Sequence, residues 1–240
     1  MRAIPTLALA VALLTPNSLA DGEEQPATPI QAAFLFEWIN LDHRTANKLV
    51  RKHATKLSAG ELRKELAKLI EADKAELAQT AYIASKHQLR AKTESIDELI
   101  YPTEYDPPEL PARIEKNTPA EKLEIAPANP TAFDVRNVGT TIEIEPVISA
   151  DGKTVSLNLA PEIVTHVEDR GVGDPKTVPK PLAVIKHPLF HVMKSSSTLI
   201  LAADDFTLAG VFTPPGKPGK RTLLLVRTKV LNHSAKKEEE

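Results

Sequence analysis

The sequence predicts an α+β protein, mainly antiparallel β-sheet, with a two-helix segment near the N-terminus. Two observations carry that expectation. Between Gly139 and Val164, Ile142, Ile144 and Ile148 alternate with Thr141, Glu143 and Glu145, and after a break Val155, Leu157 and Leu159 alternate with Thr154, Ser156 and Asn158. Successive side chains of an extended chain point to opposite faces, so each run is a strand with one dry and one wet side. Asp151-Gly152 separates them, and glycine supplies the positive φ of a tight turn, so the pair reads as a long hairpin. By contrast, Leu62, Leu66, Leu69 and Ile70 recur at i, i+4, i+7 and i+8, with Arg63, Lys64, Lys68 and Glu71 opposite, which is the pattern of a helix with one buried stripe.

Before these elements, Met1-Arg2 gives a positive start, Ala3 to Leu14 is almost wholly apolar, and Asn17-Ser18-Leu19-Ala20 places small residues at a cleavage position. The apolar run is too short for a stable bilayer span, so residues 1–20 read as a secretory signal peptide, with an uncleaved anchor as the alternative. The polar leader 21–29 follows. The chain contains no cysteine, which excludes disulfides, thiol catalysis and a lipoprotein anchor. A net charge of −2, with no basic run interleaved with aromatics, gives no reason to expect nucleic acid. No later stretch is apolar enough for a membrane helix, so the expected product is exported, and either soluble or inserted as β-structure.

Residues 30–101 form a strand–helix–helix–strands subregion. Ile30 to Leu41 reads as a strand whose Phe34, Phe36 and Trp38 share one face. That face is a core seed, or alternatively a surface platform for sugars or bases. Asp42 can cap a helix with Ala46, Leu49, Val50 and Leu57 on one stripe. Ser58 to Glu61 has capping-box spacing, in which the Ser58 hydroxyl accepts from the Glu61 backbone and Glu61 reaches back. The helices should pack on the sheet built by their flanking strands. Ala75 to Ser85 and Leu89 to Tyr101 read as further strands. Residues 102–130 are dense in proline, which lacks the donor a strand ladder needs, and read as an extended external loop.

The hairpin region spans 131–231. After a second proline-rich loop, Val172 to Pro188, the expected elements are a strand from Leu189 to Ala202, an Asp204-Asp205 turn and a short strand from Thr207 to Thr213. A loop from Pro214 to Gly219 and a last strand from Arg221 to Leu231 complete the region, and 232–240 is a charged, solvated tail.

This order of elements resembles the C-terminal β-domain of the secretins, the outer-membrane channel proteins of type II and type III secretion and of type IV pilus systems. Three stretches carry the likeness: Leu66 to Pro108, with its Ile100-Tyr101-Pro102-Thr103-Glu104-Tyr105; Val138 to Pro146 with its partner Val155 to Ile163; and Pro188-Leu189-Phe190 through Ser197-Thr198-Leu199-Ile200-Leu201 to the closing strand. The chain departs from the pattern at the late turn. There the family tends to carry Asp-Gly-Gln and then a Gly-Gly pair, whereas here Asp204-Asp205-Phe206 precedes a single Gly210. The segment before the last strand is also shortened to Pro214–Lys220, and the small periplasmic domains usual ahead of the β-domain have no counterpart. The resemblance implies a part in protein secretion or pilus-type export, as an oligomeric outer-membrane channel component or its accessory. The implied partners are other copies of the chain and further envelope secretion components. One chain supplies too few strands for a wide pore, so a channel would need a ring of copies. The alternative is a non-pore, soluble periplasmic scaffold or binding module that keeps the fold.

Candidate chemistry is sparse. Glu143 and Glu145 point the same way from one strand, and would line an acidic lumen in a barrel or simply meet solvent. His187 and His191 have a spacing that suits zinc on a helix, but Pro188 and the strand character break it. Ser195-Ser196-Ser197 lacks the glycine-flanked elbow of a serine nucleophile. The sequence therefore nominates no catalytic, metal or cofactor-binding residue and no cofactor, and it reads as a non-enzyme. A hydrolase would have to use His187 or Ser196.

Overall fold

The computed structural model describes residues 30–53, 55–109, 111–113, 115, 119, 125–172 and 184–232; the expected signal peptide, leader and residues 233–240 of the tail lie outside them. The fold class is as the sequence predicts: antiparallel strands dominate, with two short helices near the start. In chain order the elements are β1 (Ile30–Asp42), α1 (His43–His53), α2 (Gly60–Glu71), β2 (Ala75–Lys86), β3 (Ala91–Asp106), β4 (Asn129–Ile148), β5 (Thr154–Gly171), β6 (Lys186–Lys194), β7 (Ser197–Ala202), β8 (Phe206–Phe212) and β9 (Lys220–Asn232). They build two sheets, one ordered β2-β1-β9-β8 and one ordered β3-β4-β5-β6, with β7 also pairing β5.

The sheets pack face to face. Phe34, Phe36 and Trp38 of β1 meet Ile142, Ile144 and Ile148 of β4 and Val155, Leu157 and Leu159 of β5 in one core, closed by Leu201, Leu224 and Val226. The aromatic face is thus a core seed rather than a surface platform. The opposite face of the first sheet carries a second core, in which Ile39, Leu41, Leu223 and Leu225 meet Ala46 and Leu49 of α1 and Leu62 and Leu66 of α2. The run Leu223 to Val226 is apolar without alternation because β9 is covered on both faces.

The central hairpin pairs Ile148 with Val155 and continues to Gly139 with Val164, with Gly152 at φ +67° in its turn. Both strands run beyond that register. β4 continues alongside β3, and β5 alongside β6, so two ribbons separate from a common root at Gly139 and Val164.

Several expectations need correction. Leu57 lies beyond α1 and is 58% exposed, because the helix ends at His53. The capping box does not form: Ala59 is the N-cap of α2 without a side-chain hydrogen bond, and Ser58 Oγ accepts instead from the Gly60 N–H at 3.4 Å. The proline-rich stretch is strand at both ends, with Pro102 opposite Phe133 and Pro130 opposite Tyr105. Pro102 is tolerated because β3 is an edge strand, and Pro130 because β4 pairs β5 only from Gly139 onward and is open on that side. Pro188 lies within β6, likewise an edge.

Leu189 to Ala202 is two strands rather than one. Pro161 of β5 supplies the reason. Its carbonyl accepts from the Ser195 N–H at 3.2 Å, so the nitrogen of the same residue, which has no hydrogen to give, also faces the third strand. The ladder breaks there, at Ser195 and Ser196, between β6 and β7.

Candidate functional site

The second sheet places its chemistry on its outer face and along its two open edges. Glu143 and Glu145 project outward from β4, about two-fifths exposed, with Lys92 Nζ 4.0 Å from Glu143 and Arg90 Nη2 3.7 Å from Glu145. Beside them Lys92 pairs with Glu94 at 2.8 Å, and Arg136 with Glu162 at 3.1 Å. The Lys92 ammonium, helped by the Thr141 hydroxyl, holds the Glu94 carboxyl below the usual glutamate range. The outer face is therefore a lattice of paired charges, and both glutamates are part of it.

The edges differ from that face. β3 carries Asp97, Glu98, Glu104 and Asp106, and none has an ion-pair partner among the described residues. β6 carries Lys186, His187, His191 and Lys194 and no carboxylate, and its two lysines are equally unpaired. One sheet thus has an acidic free edge on one side and a basic free edge on the other. The ribbons approach each other where the rings of Tyr101 and Phe190 lie 5.8 Å apart, and Phe190 also meets His166 at 5.9 Å. Desolvation there, and the Asp134 carboxylate that accepts from its hydroxyl at 3.3 Å, push the Tyr101 phenol up.

His187 and His191 lie four residues apart along β6, about 13 Å at strand rise, which is too far to share an ion. His191 instead borders a cleft of about 1150 Å³ between the end of the first sheet and the β5–β6 ribbon, lined also by Asn40, Leu77, Ile163, Met193 and Lys217. Ser195 and Ser197 have buried hydroxyl oxygens without a hydrogen-bond partner among the described residues, and Ser196 stands between them at the strand break. The opposite charge of the two edges went unread in the sequence, because the strands that bear them are about ninety residues apart and only the strand order makes them the borders of one sheet.

No protein-family model and no curated protein matches the sequence. Among solved structures, the chain is similar to the Salmonella SPI-1 type III secretion injectisome secretin InvG (8% identity, TM-score 0.39, covering 88% of this chain and 67% of that one). It is also similar to GspD in the ETEC pilotin–secretin complex AspS–GspD (10% identity, TM-score 0.40, 85% of this chain and 50% of that one). A third is Aeromonas hydrophila ExeD (12% identity, TM-score 0.38, 85% and 48%). The chain spans about half the length of the last two.

Proposed function

We propose that this is a secretin-related envelope protein that works in protein secretion or pilus-type export by assembling side by side with copies of itself. The observation that carries the reading is the pair of open, oppositely charged edges. Unpaired strand edges are templates for another chain, and the single prolines Pro102 and Pro188 leave the rest of each edge free to pair. An acidic edge on one side and a basic edge on the other is self-complementary head to tail, the contact type that closes into rings. The sequence resemblance to secretins supports the same reading.

Charge exchange tests it. Lys186→Glu with Lys194→Glu is expected to reduce the native assembly, measured as mass in mild detergent, to the single chain. Adding Glu98→Lys and Glu104→Lys is expected to restore it. A wild-type chain that is monomeric in detergent and in membrane extracts alike overturns the proposal.

The second reading, a non-pore periplasmic scaffold, is favoured by the outer face of the β3–β4 ribbon. Its exposed apolar band comprises two rungs, Ile100 with Val135 and Pro102 with Phe133, next to the polar rung Glu98 with Asn137. Two rungs are about 7 Å apart, against the ~25 Å apolar band of a bilayer-crossing barrel. On this reading the assembly leaves the membrane fraction in carbonate, whereas a barrel wall stays with it.

A further inference from the structure

The net charge of −2 conceals an uneven distribution. Helix α1 has the sequence HRTANKLVRKH, with no acidic residue, and Lys56 follows it. Arg44, Lys48 and Arg51 stand at i, i+4 and i+7, on one exposed face, with Lys52 and Lys56 exposed beside them. Of these five cations, only Lys52 has a carboxylate within ion-pair distance among the described residues, that of Glu65. The same side of the first sheet presents Lys86, Arg227 and Lys229, all exposed and without ion pairs among the described residues, the Arg227 guanidinium lying 5.7 Å from the Phe206 ring centroid. The neighbouring carboxylates are mostly engaged: Glu37 with Arg63, Glu61 with Lys64, Glu65 with Lys52 and His53, and Asp42 with backbone N–H groups of α1; Glu71 sits at the far end of α2. Like charges three and four residues apart on a helix repel, so this surface costs the isolated protein stability that an anionic partner would return.

Two apolar anomalies lie on the same side. Leu57, one residue beyond Lys56, is 58% exposed, and Tyr82, on the helix side of β2, is 63% exposed. The large cleft lined by His191 includes no residue of α1, so the cations are spread over an open layer rather than gathered around one ligand. Single-strand nucleic-acid readers stack bases on several aromatics, and this surface has one exposed tyrosine among the described residues. A spread of cations on an amphipathic helix, with a leucine and a tyrosine able to enter a headgroup layer, suits a lipid surface.

We propose that the α1 side of the molecule, centred on Arg44, Lys48, Arg51 and Leu57, docks on a bilayer of anionic phospholipids. The lysines and arginines meet lipid phosphates while Leu57 and Tyr82 enter the interface. This does not depend on assembly through β3 and β6, and the charge-exchange variants there leave α1 untouched.

The test is co-sedimentation of the full chain with phosphatidylcholine vesicles, with and without about one third phosphatidylglycerol. The wild type is expected to bind the anionic vesicles, to ignore the neutral ones, and to release as salt rises. Arg44→Gln with Lys48→Gln and Arg51→Gln, all at exposed positions, is expected to lower partitioning on the order of 100-fold, from about fivefold per lost cation. Leu57→Ser is expected to lower it several-fold with an unchanged thermal melt, and the triple variant, relieved of like-charge repulsion, is expected to melt no lower than the wild type. Equal binding to neutral vesicles, undiminished binding of the triple variant (as residues 1–29 alone would give), or binding to polyglutamate or duplex DNA without binding to vesicles overturns the proposal.

Discussion

The Cα of Gly139 lies against the carbonyl of Ser95, so that a Cβ built on it would fall 2.2 Å from the Ser95 oxygen and 2.9 Å from the Ile96 Cα. Gly139 has φ +134°, which side-chain-bearing residues rarely adopt, and it holds the last rung of β4 with β5 before the ribbons part. Gly139→Ala is therefore expected to combine strain and backbone overlap, lowering stability by about 3 kcal/mol or more in urea unfolding. The same change at Gly171, which has nothing within 4 Å of the added atom, is the control and is expected to be near neutral.

Glu37 is a buried carboxylate facing α2, and Arg63 meets it through two hydrogen bonds, Nε to Oε2 at 2.5 Å and Nη2 to Oε1 at 3.1 Å. Arg63→Ala strands a charge at the helix–sheet boundary and is expected to cost about 3–5 kcal/mol. Replacing both partners with methionine is expected to recover most of that loss. Thermal unfolding of the two variants checks the order.

Glu65 joins α2 to α1. The Lys52 ammonium, and then His53 with its Nε2 3.2 Å away, hold the Glu65 carboxyl below the ordinary glutamate value of about 4.5. A folded-state value below the unfolded one gives stability that is complete above the ordinary value and disappears as pH falls through the lowered one. Melting temperature is thus expected to fall on acidification below about pH 4.5. In Glu65→Gln that part of the acid-side slope is expected to vanish.

Phe36 and Phe133 separate folding from assembly. Phe36 is fully buried between the sheets, and Phe36→Ala is expected to cost about 3–5 kcal/mol. Phe133 is 59% exposed on the β3–β4 ribbon, and Phe133→Ser is expected to change stability by no more than about 0.5 kcal/mol. Because it lies on the ribbon whose edge is open, the Phe133 variant is expected to alter native mass, which analytical ultracentrifugation measures.

Local pattern made much of this legible. Ile142 to Ile148 and Val155 to Leu159 pair in the register their alternation requires, since a slip by one residue would turn every isoleucine to solvent. Leu62 and Leu66 are buried as their spacing demands. The misread points are decided by distant neighbours. Pro102 and Pro130 can be strand because one side of the ribbon is open, and Leu189 to Ala202 is cut because Pro161, about thirty residues earlier, withholds a donor. Ser58 has a sequence that suits a cap, yet the Ala59 N–H is taken by the Phe206 carbonyl at 2.7 Å, which fixes the entry to α2 from outside the helix. The free edges of β3 and β6 follow from strand order, which no window of local sequence encodes.

β1 pairs along its whole length with β9, from Ile30 opposite Asn232 to Asp42 opposite Lys220. The seat for β9 must therefore stay vacant while the roughly 180 residues between the two strands are made. Until Leu224 and Val226 arrive, Phe34, Phe36 and Trp38 have one flank uncovered. The first sheet therefore cannot fold strand by strand from β1 forward, and its apolar face stays exposed until β9 pairs. A stop codon ahead of Lys220 would forfeit both cores at once rather than trim an end.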